Sequence, residues 1–502
     1  MEFKTKPYRH QIECLNKFGR YPAFALLAEM GTGKTWIMIN NLAFLWGAGD
    51  CYGALILAPN GVHSNWARLE LPTHAPIGFD YYAVVWNAKN TKTQTAALEH
   101  LFDACNREKF KILLMNHEAL QTKKGFEFAQ RFLKNCTHPQ FHNARPALIL
   151  DESDGFKNPK AIRTKNLLKL KPLTAWRRIM SGTPINNSPF DLFTQFAFLD
   201  ERILRCPNYY AFKAEYGVFL PDNHPLVGAL RRKSTGGFIP KIEARDASGK
   251  PIYKNLEKLQ ALIQPVSYFV KKADCLDLPP KVYKNLFFDL TPNQRAIYER
   301  LKADGTLILE NEQAARVEKL ACLQKLAQVT SGYYLHPESG EIVAIAGENP
   351  KLDLLIENVQ KVAFLGEKCI IWARYRAEIA AIVERLRGVQ IECVEYHGGV
   401  DTAARAKAID AFQNGTASVF VGNQQAGGTG ITLTAASVVF YFSNNFSLRD
   451  RLQSEDRAHR IGQTKSVVYF NISAKNTIDE GVVRALANKG DILESVIRER
   501  AF

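Results

Sequence analysis

The sequence predicts an α/β protein with two successive domains, each built on a parallel sheet with helices on both faces. Short, continuously apolar runs alternate with amphipathic stretches, first over residues 23–205 and again from near residue 351. Strands that are apolar at every position are typical of parallel sheets buried on both faces. Many of these runs end in small, polar or acidic residues, and in such sheets ligands bind at the carboxyl ends of the strands.

The composition favours a globular protein with a polyanionic partner. Hydrophobic residues make up 46% and charged residues 23% of the 502-residue chain, which is ordinary for a soluble protein. Lysine and arginine exceed aspartate and glutamate by 65 − 50 = 15. Nucleic acid is therefore the first partner to expect, and the alternative is a protein that is merely basic.

No membrane span is expected, because the sequence has no apolar run of about 18 residues and no signal-peptide core. The nine cysteines are scattered without C-x-x-C spacing, which favours reduced thiols in the cytosol. Cys136, His138 and His142 lie close together, but they lack a fourth ligand. A polar loop is therefore favoured over a zinc site.

The most informative stretch is Ala-Glu-Met-Gly-Thr-Gly-Lys-Thr at residues 28–35. It follows an apolar strand predicted over 23–27 and precedes a helix predicted over 36–46, the order of elements around a phosphate-binding loop. Ala28 stands where the strict pattern has glycine, and the alternative interpretation is an accidental glycine-rich turn.

The chemistry of this loop follows from its residue types. Gly31 and Gly33 let backbone N–H groups converge on one point, where the helix N-terminus adds its positive dipole end. Lys34 is expected to reach the β- and γ-phosphates of a nucleotide, and the Thr35 hydroxyl to hold Mg²⁺. The residues expected to bind the nucleotide here are Met30, Gly31, Thr32, Gly33, Lys34 and Thr35.

A glutamine about twenty residues before such a loop can bind adenine, because its amide both donates and accepts hydrogen bonds. Residues 7–11 open a short amphipathic helix before the first strand, and Gln11 is the candidate. The alternative is an ordinary exposed glutamine.

Asp151 and Glu152 follow an apolar strand and form the second half of the expected site. The aspartate is expected to hold Mg²⁺, and the glutamate to position and polarise the attacking water. Ser181 and Thr183 end another strand, and we expect them to hydrogen-bond the acidic pair and relay the nucleotide state. The alternatives are a pair of surface acids and an ordinary Gly-Thr-Pro turn.

The alternation breaks down between residues 206 and 262, where aromatic and basic residues are interleaved. This stretch predicts an insertion that either contacts a phosphate backbone or packs on itself in solvent. Residues 278–281 are predicted to form an extended connection. Further predicted elements are a hairpin turn at 246–249, helices over 291–301 and 312–328, and a hairpin over 333–345.

The second alternating unit has no phosphate loop of its own. Its last helix, predicted over 448–460, carries Arg457 and Arg460, whose guanidinium groups suit the transition-state charge of a γ-phosphate. The alternative is a solvated surface helix. Earlier elements of this unit are strands predicted over 369–372, 392–396, 418–421 and 438–442, and helices over 377–386 and 405–413.

In this order, the motifs resemble helicase superfamily two, and within it the Swi/Snf family of DNA-translocating ATPases, over about residues 8–492. The most specific match is Gln-Ser-Glu-Asp-Arg-Ala-His-Arg-Ile-Gly-Gln at 453–463. Other stretches that resemble family motifs or junctions are 57–60, 65–66, 181–187, 278–281, 349–351, 426–435 and 477–480.

The chain departs from the family pattern at several positions. Residues 28–29 are Ala-Glu rather than Asp-Glu, Asp154 replaces the histidine of Asp-Glu-Ala-His, and Thr432 replaces an asparagine. The loss of the histidine puts the coupling between ATP and DNA in doubt, although both catalytic acids remain. No additional reader domain fits in 502 residues, so the resemblance implies a bare motor of bacterial or viral type.

The resemblance implies two tandem RecA-like domains that use ATP and Mg²⁺, with Gly430 and Gln453 as further nucleotide contacts. The implied domains are lobe one (1–205), an insertion (206–265), a return and linker (266–290), a helical protrusion with a hairpin (291–348), lobe two (349–475) and a C-terminal bracing helix (476–502). The implied DNA contacts are Asn60, Trp66, Asn116, His117, Lys157, Trp372, Arg374, His397, Gly398 and Asn423.

The implied function is ATP-driven translocation along double-stranded DNA, bound mainly through its phosphates. We expect a monomer in the cytoplasm of a bacterial or phage-infected cell, associated with the nucleoid. The alternatives are a strand-separating, annealing or branch-migrating helicase, a remodeller of a protein on DNA, and a DNA-binding module whose ATPase is dead. The intact catalytic residues argue against the last.

Overall fold

The computed structural model describes residues 2–89, 91–103, 108–136, 145–225, 227, 241–246, 250–310, 316–335, 342–424 and 431–493. The chain divides into two compact units. The first consists mainly of residues up to Pro221 together with Lys241–Asp277, and the second mainly of Leu278–Gly490. Each contains a parallel sheet, so the predicted class of two tandem α/β domains is confirmed.

The first unit is built on a seven-stranded sheet. Its strands are β1 (Ala23–Ala28), β2 (Gly53–Ala58), β3 (Tyr81–Val85), β4 (Phe110–Asn116), β5 (Ala147–Asp151), β6 (Trp176–Ser181) and β7 (Ser267–Val270). All neighbours pair in parallel in the order β3-β4-β2-β5-β6-β1-β7. The inner strands β1, β5 and β6 are the strands predicted before the phosphate loop, before the acidic pair and up to Ser181. The edge strands β3 and β7 are half-buried and were not predicted.

Eleven α-helices are described in the first unit. They are α1 (Arg9–Phe18), α2 (Lys34–Gly47), α3 (Val62–Asn65), α4 (Leu71–His74), α5 (Lys92–His100), α6 (Lys123–Asn135), α7 (Ile162–Leu170), α8 (Leu192–Leu199), α9 (Tyr209–Tyr216), α10 (Leu256–Ile263) and α11 (Lys272–Cys275). A π-helical turn, Trp66–Glu70, joins α3 to α4. The core of this unit packs α2 against the sheet through residues such as Ile37 and Leu45.

The described part of the 206–262 insertion packs on itself. Phe212 and Tyr216 of α9 are fully buried, and the Phe212 ring lies 5.4 Å from Phe193 and 4.7 Å from Tyr216. Antiparallel bridges such as Arg245–Pro251 flank the predicted hairpin turn. These contacts favour the self-packed alternative for this part. Arg231, Arg232 and Lys233, and residues 247–249 of the turn, lie outside the described residues.

The second unit is built on a six-stranded sheet. Its strands are β8 (Lys281–Phe288), β11 (Lys368–Trp372), β12 (Cys393–Tyr396), β13 (Val419–Gly422), β14 (Ala436–Tyr441) and β15 (Val467–Ala474), and a separate antiparallel pair is formed by β9 (Tyr333–Leu335) and β10 (Ile342–Ala344). The sheet is parallel in the order β12-β13-β11-β14-β15-β8. The β9–β10 pair confirms the predicted hairpin, whose turn at 336–341 lies outside the described residues.

Strand β8 corrects one prediction. Residues 278–281 were expected to lead into an extended connection, within a return and linker at 266–290. Instead, β8 pairs with β15 along its whole length, from Lys281 opposite Val467 to Phe288 opposite Ala474. Four of its eight side chains are exposed, so no continuous apolar run marked it as a strand.

Seven α-helices are described in the second unit. They are α12 (Pro292–Glu310), α13 (Arg316–Thr330), α14 (Pro350–Phe364), α15 (Arg376–Gly388), α16 (Thr402–Gln413), α17 (Leu448–Ala458) and α18 (Ile478–Leu493). Side chains cap the start of several of them. For example, Asn349 accepts from the Leu352 N–H, and Ser447 accepts from the Asp450 N–H. Among the described residues of both units, no helix is long and apolar enough to cross a membrane.

Candidate nucleotide site

The predicted phosphate loop connects the carboxyl end of β1 to the N-terminus of α2. Gly31 and Gly33 have φ values of 79° and 82°, in the left-handed region that favours glycine. A Cβ atom on Gly33 would lie 2.1 Å from Nε2 of Gln11. Glycine at position 33 therefore satisfies both the backbone turn and the close approach of α1.

Lys34 is held over this loop. Its Nζ donates to the carbonyl oxygens of Ala28 at 2.9 Å and Glu29 at 3.3 Å, and the residue is buried. The Thr32 hydroxyl donates to the Glu29 carbonyl at 2.7 Å, which tightens the turn. Thr35 lies in the first turn of α2 and is half-buried.

Gln11 lies against the same loop. Its Nε2 donates to the Gly33 carbonyl at 3.4 Å, and its Oε1 accepts from the Tyr8 N–H at 2.8 Å. The His10 ring lies 2.8 Å from the Thr32 carbonyl. An open cavity of about 660 Å³ is lined by Tyr8 and His10 and by residues 273–277. This places a pocket beside the glutamine that the sequence predicted to bind adenine.

Asp151 ends β5 and is almost fully buried. Its Oδ2 accepts from the Trp66 indole N–H at 3.0 Å. Burial and the neighbouring Glu152 charge raise the pKa of Asp151 to about 7, against the opposing effects of the Trp66 bond and the Lys34 charge. A buried carboxylate that is costly to ionise suits a group that pairs with a bound cation.

Glu152 has a φ of 51°, an uncommon backbone for a non-glycine residue that stores strain. Its Oε2 lies 3.5 Å from the Ser181 hydroxyl at the end of β6, and that hydroxyl accepts from the Thr183 N–H at 3.0 Å. These contacts join the predicted catalytic acid to the two residues predicted to relay the nucleotide state.

Two further contacts link the acidic turn to the loop after β6 and to helix α8, and the sequence did not reveal them. Asn186 Nδ2 donates to Asp154 Oδ2 at 2.7 Å, and the Ser153 hydroxyl donates to Gln195 at 2.6 Å. Asp154, which departs from the family pattern, is thus bonded to the loop that follows Ser181. Only the unusual residue type at 154 could have pointed to this contact.

Arg457 and Arg460 converge on one atom of the second unit. The Nη1 atom of each lies 3.4 Å from the carbonyl oxygen of Ile431. The Arg457 carbonyl accepts from the Leu433 N–H at 2.9 Å. Gln453 is buried on the same helix, α17. Gly430, the other predicted nucleotide contact of this unit, lies outside the described residues.

Three of the predicted DNA contacts are wrong. Trp66, His117 and Trp372 are 1%, 3% and 0% exposed, so their side chains are not available to DNA. Trp66 bonds the Asp151 carboxylate, His117 Nε2 lies 2.9 Å from the Asp151 carbonyl, and Trp372 belongs to the core of the second unit.

The other predicted DNA contacts lie at or near the surface. Asn60 and Gly398 are exposed, while Asn116, Lys157, Arg374, His397 and Asn423 are half-buried. Those of the second unit follow the neighbouring strands β11, β12 and β13, and Asn423 Nδ2 donates to the Arg374 carbonyl at 2.6 Å. They therefore share one edge of their sheet, and DNA contact there stays a prediction.

Comparison with known proteins identifies the family. The SNF2-related domain matches residues 17–333, and the helicase conserved C-terminal domain matches residues 350–462. An uncharacterized ATP-dependent helicase of Mycoplasma genitalium is 25% identical over 491 residues, which cover 96% of this chain and 41% of that protein. The mouse chromodomain-helicase-DNA-binding protein 1-like is 27% identical over 489 residues, covering 94% and 48%.

The chain thus spans less than half the length of these two relatives. A solved structure, the Sulfolobus solfataricus SWI2/SNF2 ATPase core in complex with double-stranded DNA, aligns over 99% of this chain and 98% of its own, with 21% identity and a TM-score of 0.41. By its two domain matches, the chain belongs to the SNF2-related family of helicase superfamily two.

Proposed function

We propose that the protein is an ATPase that translocates along double-stranded DNA. The observation that carries the proposal is the shared sheet edge of Lys34, Asp151 and Glu152. The lysine follows β1 and the acids end β5, with only β6 between the two strands. A phosphate loop and an acidic pair at one sheet edge are the parts of a nucleotide hydrolase, and the family is one of ATP-dependent motors.

In this proposal Lys34 and the loop N–H groups bind the β- and γ-phosphates. The Thr35 hydroxyl and the Asp151 carboxylate hold Mg²⁺, which prefers such oxygen ligands and neutralises phosphate charge. The donor set fits the ion, because the buried Asp151 carboxylate gains a cation that offsets its cost of ionisation. Glu152 orients the attacking water and accepts its proton.

The second unit contributes Arg457 and Arg460. Their Nη1 atoms now share the Ile431 carbonyl, which is a weak partner compared with a γ-phosphate for a guanidinium fork. We propose that both arginines transfer to the phosphate as the two units close on ATP. Repeated closing and opening would then move the protein, as a monomer, along the duplex.

The net charge of +15 supports DNA as the polymer along which the protein moves. Binding through phosphates is independent of base sequence and lets a protein move along the duplex. The surface groups Asn60, Arg374, His397, Gly398 and Asn423 are the proposed contacts, in addition to Asn116 and Lys157.

The test of the ATPase is steady-state ATP turnover with and without duplex DNA. Turnover should rise on adding DNA and should be abolished by Lys34→Ala and by Glu152→Gln, because each removes a group that acts on the phosphates or the water. Arg385→Ala, which changes an exposed arginine on α15, is the control. If either active-site variant hydrolyses ATP at the parental rate, the proposed site is wrong.

Strand separation is the second candidate, since the Mycoplasma relative is named a helicase. Displacement of a third strand from a triplex reports translocation, whereas release of a strand from a tailed duplex reports unwinding. We expect ATP-dependent triplex displacement and no duplex unwinding. Duplex unwinding without triplex displacement would show that the protein is a helicase and not a translocase.

A further inference from the structure

The segment 278–283, where the chain enters the main part of the second unit, is bonded to α17, the helix that carries Arg457 and ends just before Arg460. Lys281 Nζ lies 3.1 Å from Glu455 Oε2 of α17, and the Tyr283 hydroxyl donates to the same oxygen at 2.7 Å. Lys281 also lies 3.5 Å from Asp456 Oδ1. Two adjacent carboxylates of α17 are thus held by one residue of β8.

The same segment also reaches the C-terminal end of α17. The His459 ring Nε2 lies 2.7 Å from the Pro279 carbonyl oxygen. The Leu-Pro-Pro-Lys motif at 278–281 was noted in the sequence without a role. Its contacts now run along the last turn of α17 and past it, where Arg457 and Arg460 lie.

The ionic groups of this cluster are removed from water. Glu455 is 2% exposed, and its Oε1 accepts from Arg451 Nε at 2.8 Å. The Arg451 guanidinium lies 3.4 Å from the Tyr441 ring centroid and donates to Asn471 at 2.6 Å. Burial alone would raise the pKa of Glu455, but Lys281 and Arg451 outweigh it and lower that pKa. The carboxylate is therefore charged and held from both sides.

A buried cluster of this kind contributes orientation more than net stability. Removing two charges from water costs free energy that their attraction repays only in part, so apolar replacements are often as stable. What apolar groups do not supply is a fixed direction. A carboxylate shared by an ammonium, a guanidinium and a phenol, each at hydrogen-bond distance, fixes the rotation and the height of the helix that carries it.

The cluster acts on the arginines through the helix and not by contact. Glu455 precedes Arg457 by two residues, and side chains at that spacing point to different faces of a helix. The Glu455 carboxylate accordingly faces β8, while Arg457 Nη1 faces the Ile431 carbonyl. If α17 rotated so that the Glu455 carboxylate lost these hydrogen bonds, Arg457 would move about the helix axis by a similar angle.

We propose that Lys281, with Tyr283, is a positioning residue for Arg457 and Arg460. By holding Glu455, the start of β8 sets the angle of α17, which carries Arg457 and ends two residues before Arg460. The chain enters the main part of the second unit at residue 278, so a displacement of this segment would act on α17 through these bonds. The inference rests on the proposed function, in which those arginines act on ATP.

The test compares Lys281→Met with Lys284→Met. Both remove one positive charge from β8, but Lys284 is exposed and its ammonium lies over the Phe470 ring. We expect Lys281→Met to lower the DNA-stimulated kcat about tenfold, as a small misplacement of catalytic groups does, with the KM for ATP nearly unchanged. Lys284→Met should keep the parental kcat, and Lys281→Arg should recover most of it.

A cycle with the double variant Arg457→Ala/Arg460→Ala separates positioning from loss of fold. If Lys281 acts through these two arginines, adding Lys281→Met to that double variant lowers kcat no further, whereas independent effects multiply. Tyr283→Phe, which deletes a single oxygen from a partly exposed ring, repeats the test if Lys281→Met does not fold. Multiplicative effects in the cycle, or parental kcat in Lys281→Met and Tyr283→Phe, would overturn the inference. Activity surviving in Lys34→Ala would instead overturn the proposed function.

Discussion

At the scale of single residues, Asp151 connects burial to chemistry. Its carboxylate is enclosed by the sheet, beside Glu152 and under the Trp66 indole. Two neighbouring acids in a dry site cannot both ionise cheaply, and this raises the pKa of Asp151 to about 7. The carboxylate proposed to hold Mg²⁺ would therefore titrate near pH 7.

The pH dependence of kcat/KM for MgATP should report this group, because that ratio follows the free enzyme. Below about pH 7 the Asp151 carboxyl holds a proton and binds Mg²⁺ poorly, so kcat/KM should fall as the pH is lowered. Trp66→Phe removes a hydrogen bond that stabilises the charged form. It should therefore move the inflection to higher pH.

Trp86→Phe is the control for this profile, since Trp86 is equally buried and lies after β3. The titration of ATP itself should affect the pH profiles of Trp86→Phe and Trp66→Phe equally, so it cannot cause a difference between them. An inflection that Trp66→Phe leaves at the parental pH, or moves to lower pH, would contradict the role given to the indole.

Gly33 offers a second test at this scale. Gly33→Ala imposes a side chain at φ 82° and pushes a Cβ to within 2.1 Å of Gln11. The left-handed backbone alone costs about 1–2 kcal/mol, so ATP affinity should fall at least about tenfold in equilibrium binding. Gly47→Ala, at the end of the same helix with no atom within 4 Å of its new Cβ, should bind ATP normally. Equal affinities in both variants would show that the loop tolerates displacement.

The candidate nucleotide loop and the acidic pair could be predicted from local order along the chain, and the structure places both at one edge of the sheet. Trp66, His117 and Trp372 were assigned to DNA contact although their side chains are buried. The sequence pattern after a strand is the same for a polar or aromatic side chain that faces solvent and for one that faces the core. Asn186 and Gln195 were not predicted as partners of the acidic turn, for another reason. Their partners, Asp154 and Ser153, are more than 30 residues away, and only the fold brings them together.

At the scale of elements, α18 is attached to the second unit by a buried ion pair. Lys351 is 1% exposed, and its Nζ donates to Asp479 Oδ2 at 3.1 Å. The other carboxylate oxygen accepts from the Thr330 hydroxyl at 2.8 Å. Two stretches that resemble family motifs, 349–351 and 477–480, therefore form one contact, which the sequence did not reveal.

Asp479→Asn should destabilise the second unit, because it leaves the Lys351 ammonium buried without a counter-charge. The expected loss is about 3 kcal/mol in the free energy of unfolding, measured by urea denaturation. Asp289→Asn is the matched control. Asp289 pairs with Lys475 at 2.8 Å in the same unit, but both side chains are well exposed, so the loss should be below about 1 kcal/mol. If both variants lost the same free energy of unfolding, the buried Lys351–Asp479 pair would stabilise the unit no more than an exposed pair does.

Strand β8 shows what limits prediction of elements. The two preceding prolines predicted an extended connection, and the chain is extended there. Its partner strand, β15, lies almost 190 residues later in the chain. No local sequence pattern predicts such a pairing. Strands β1 and β5 were predictable because burial on both faces makes nearly every one of their positions apolar.

At the scale of the whole molecule, the excess of 15 positive charges predicts how DNA is held. Contacts to phosphates release counterions, so the logarithm of the binding constant should fall linearly with the logarithm of salt concentration. Fluorescence anisotropy with duplexes of unrelated sequence should give the same steep slope for each. Affinity that is insensitive to salt, or that differs strongly among sequences, would contradict phosphate binding.

The central claim is that the two units act on one ATP, the first through Lys34 and the acids and the second through Arg457 and Arg460. The most direct measurement is single-turnover ATP hydrolysis by Arg457→Ala on saturating duplex DNA, together with its equilibrium affinity for ATP. An arginine that stabilises transition-state charge contributes about 10³-fold or more to the rate. We predict a loss of that order with ATP affinity changed little. Hydrolysis at the parental rate would contradict the account.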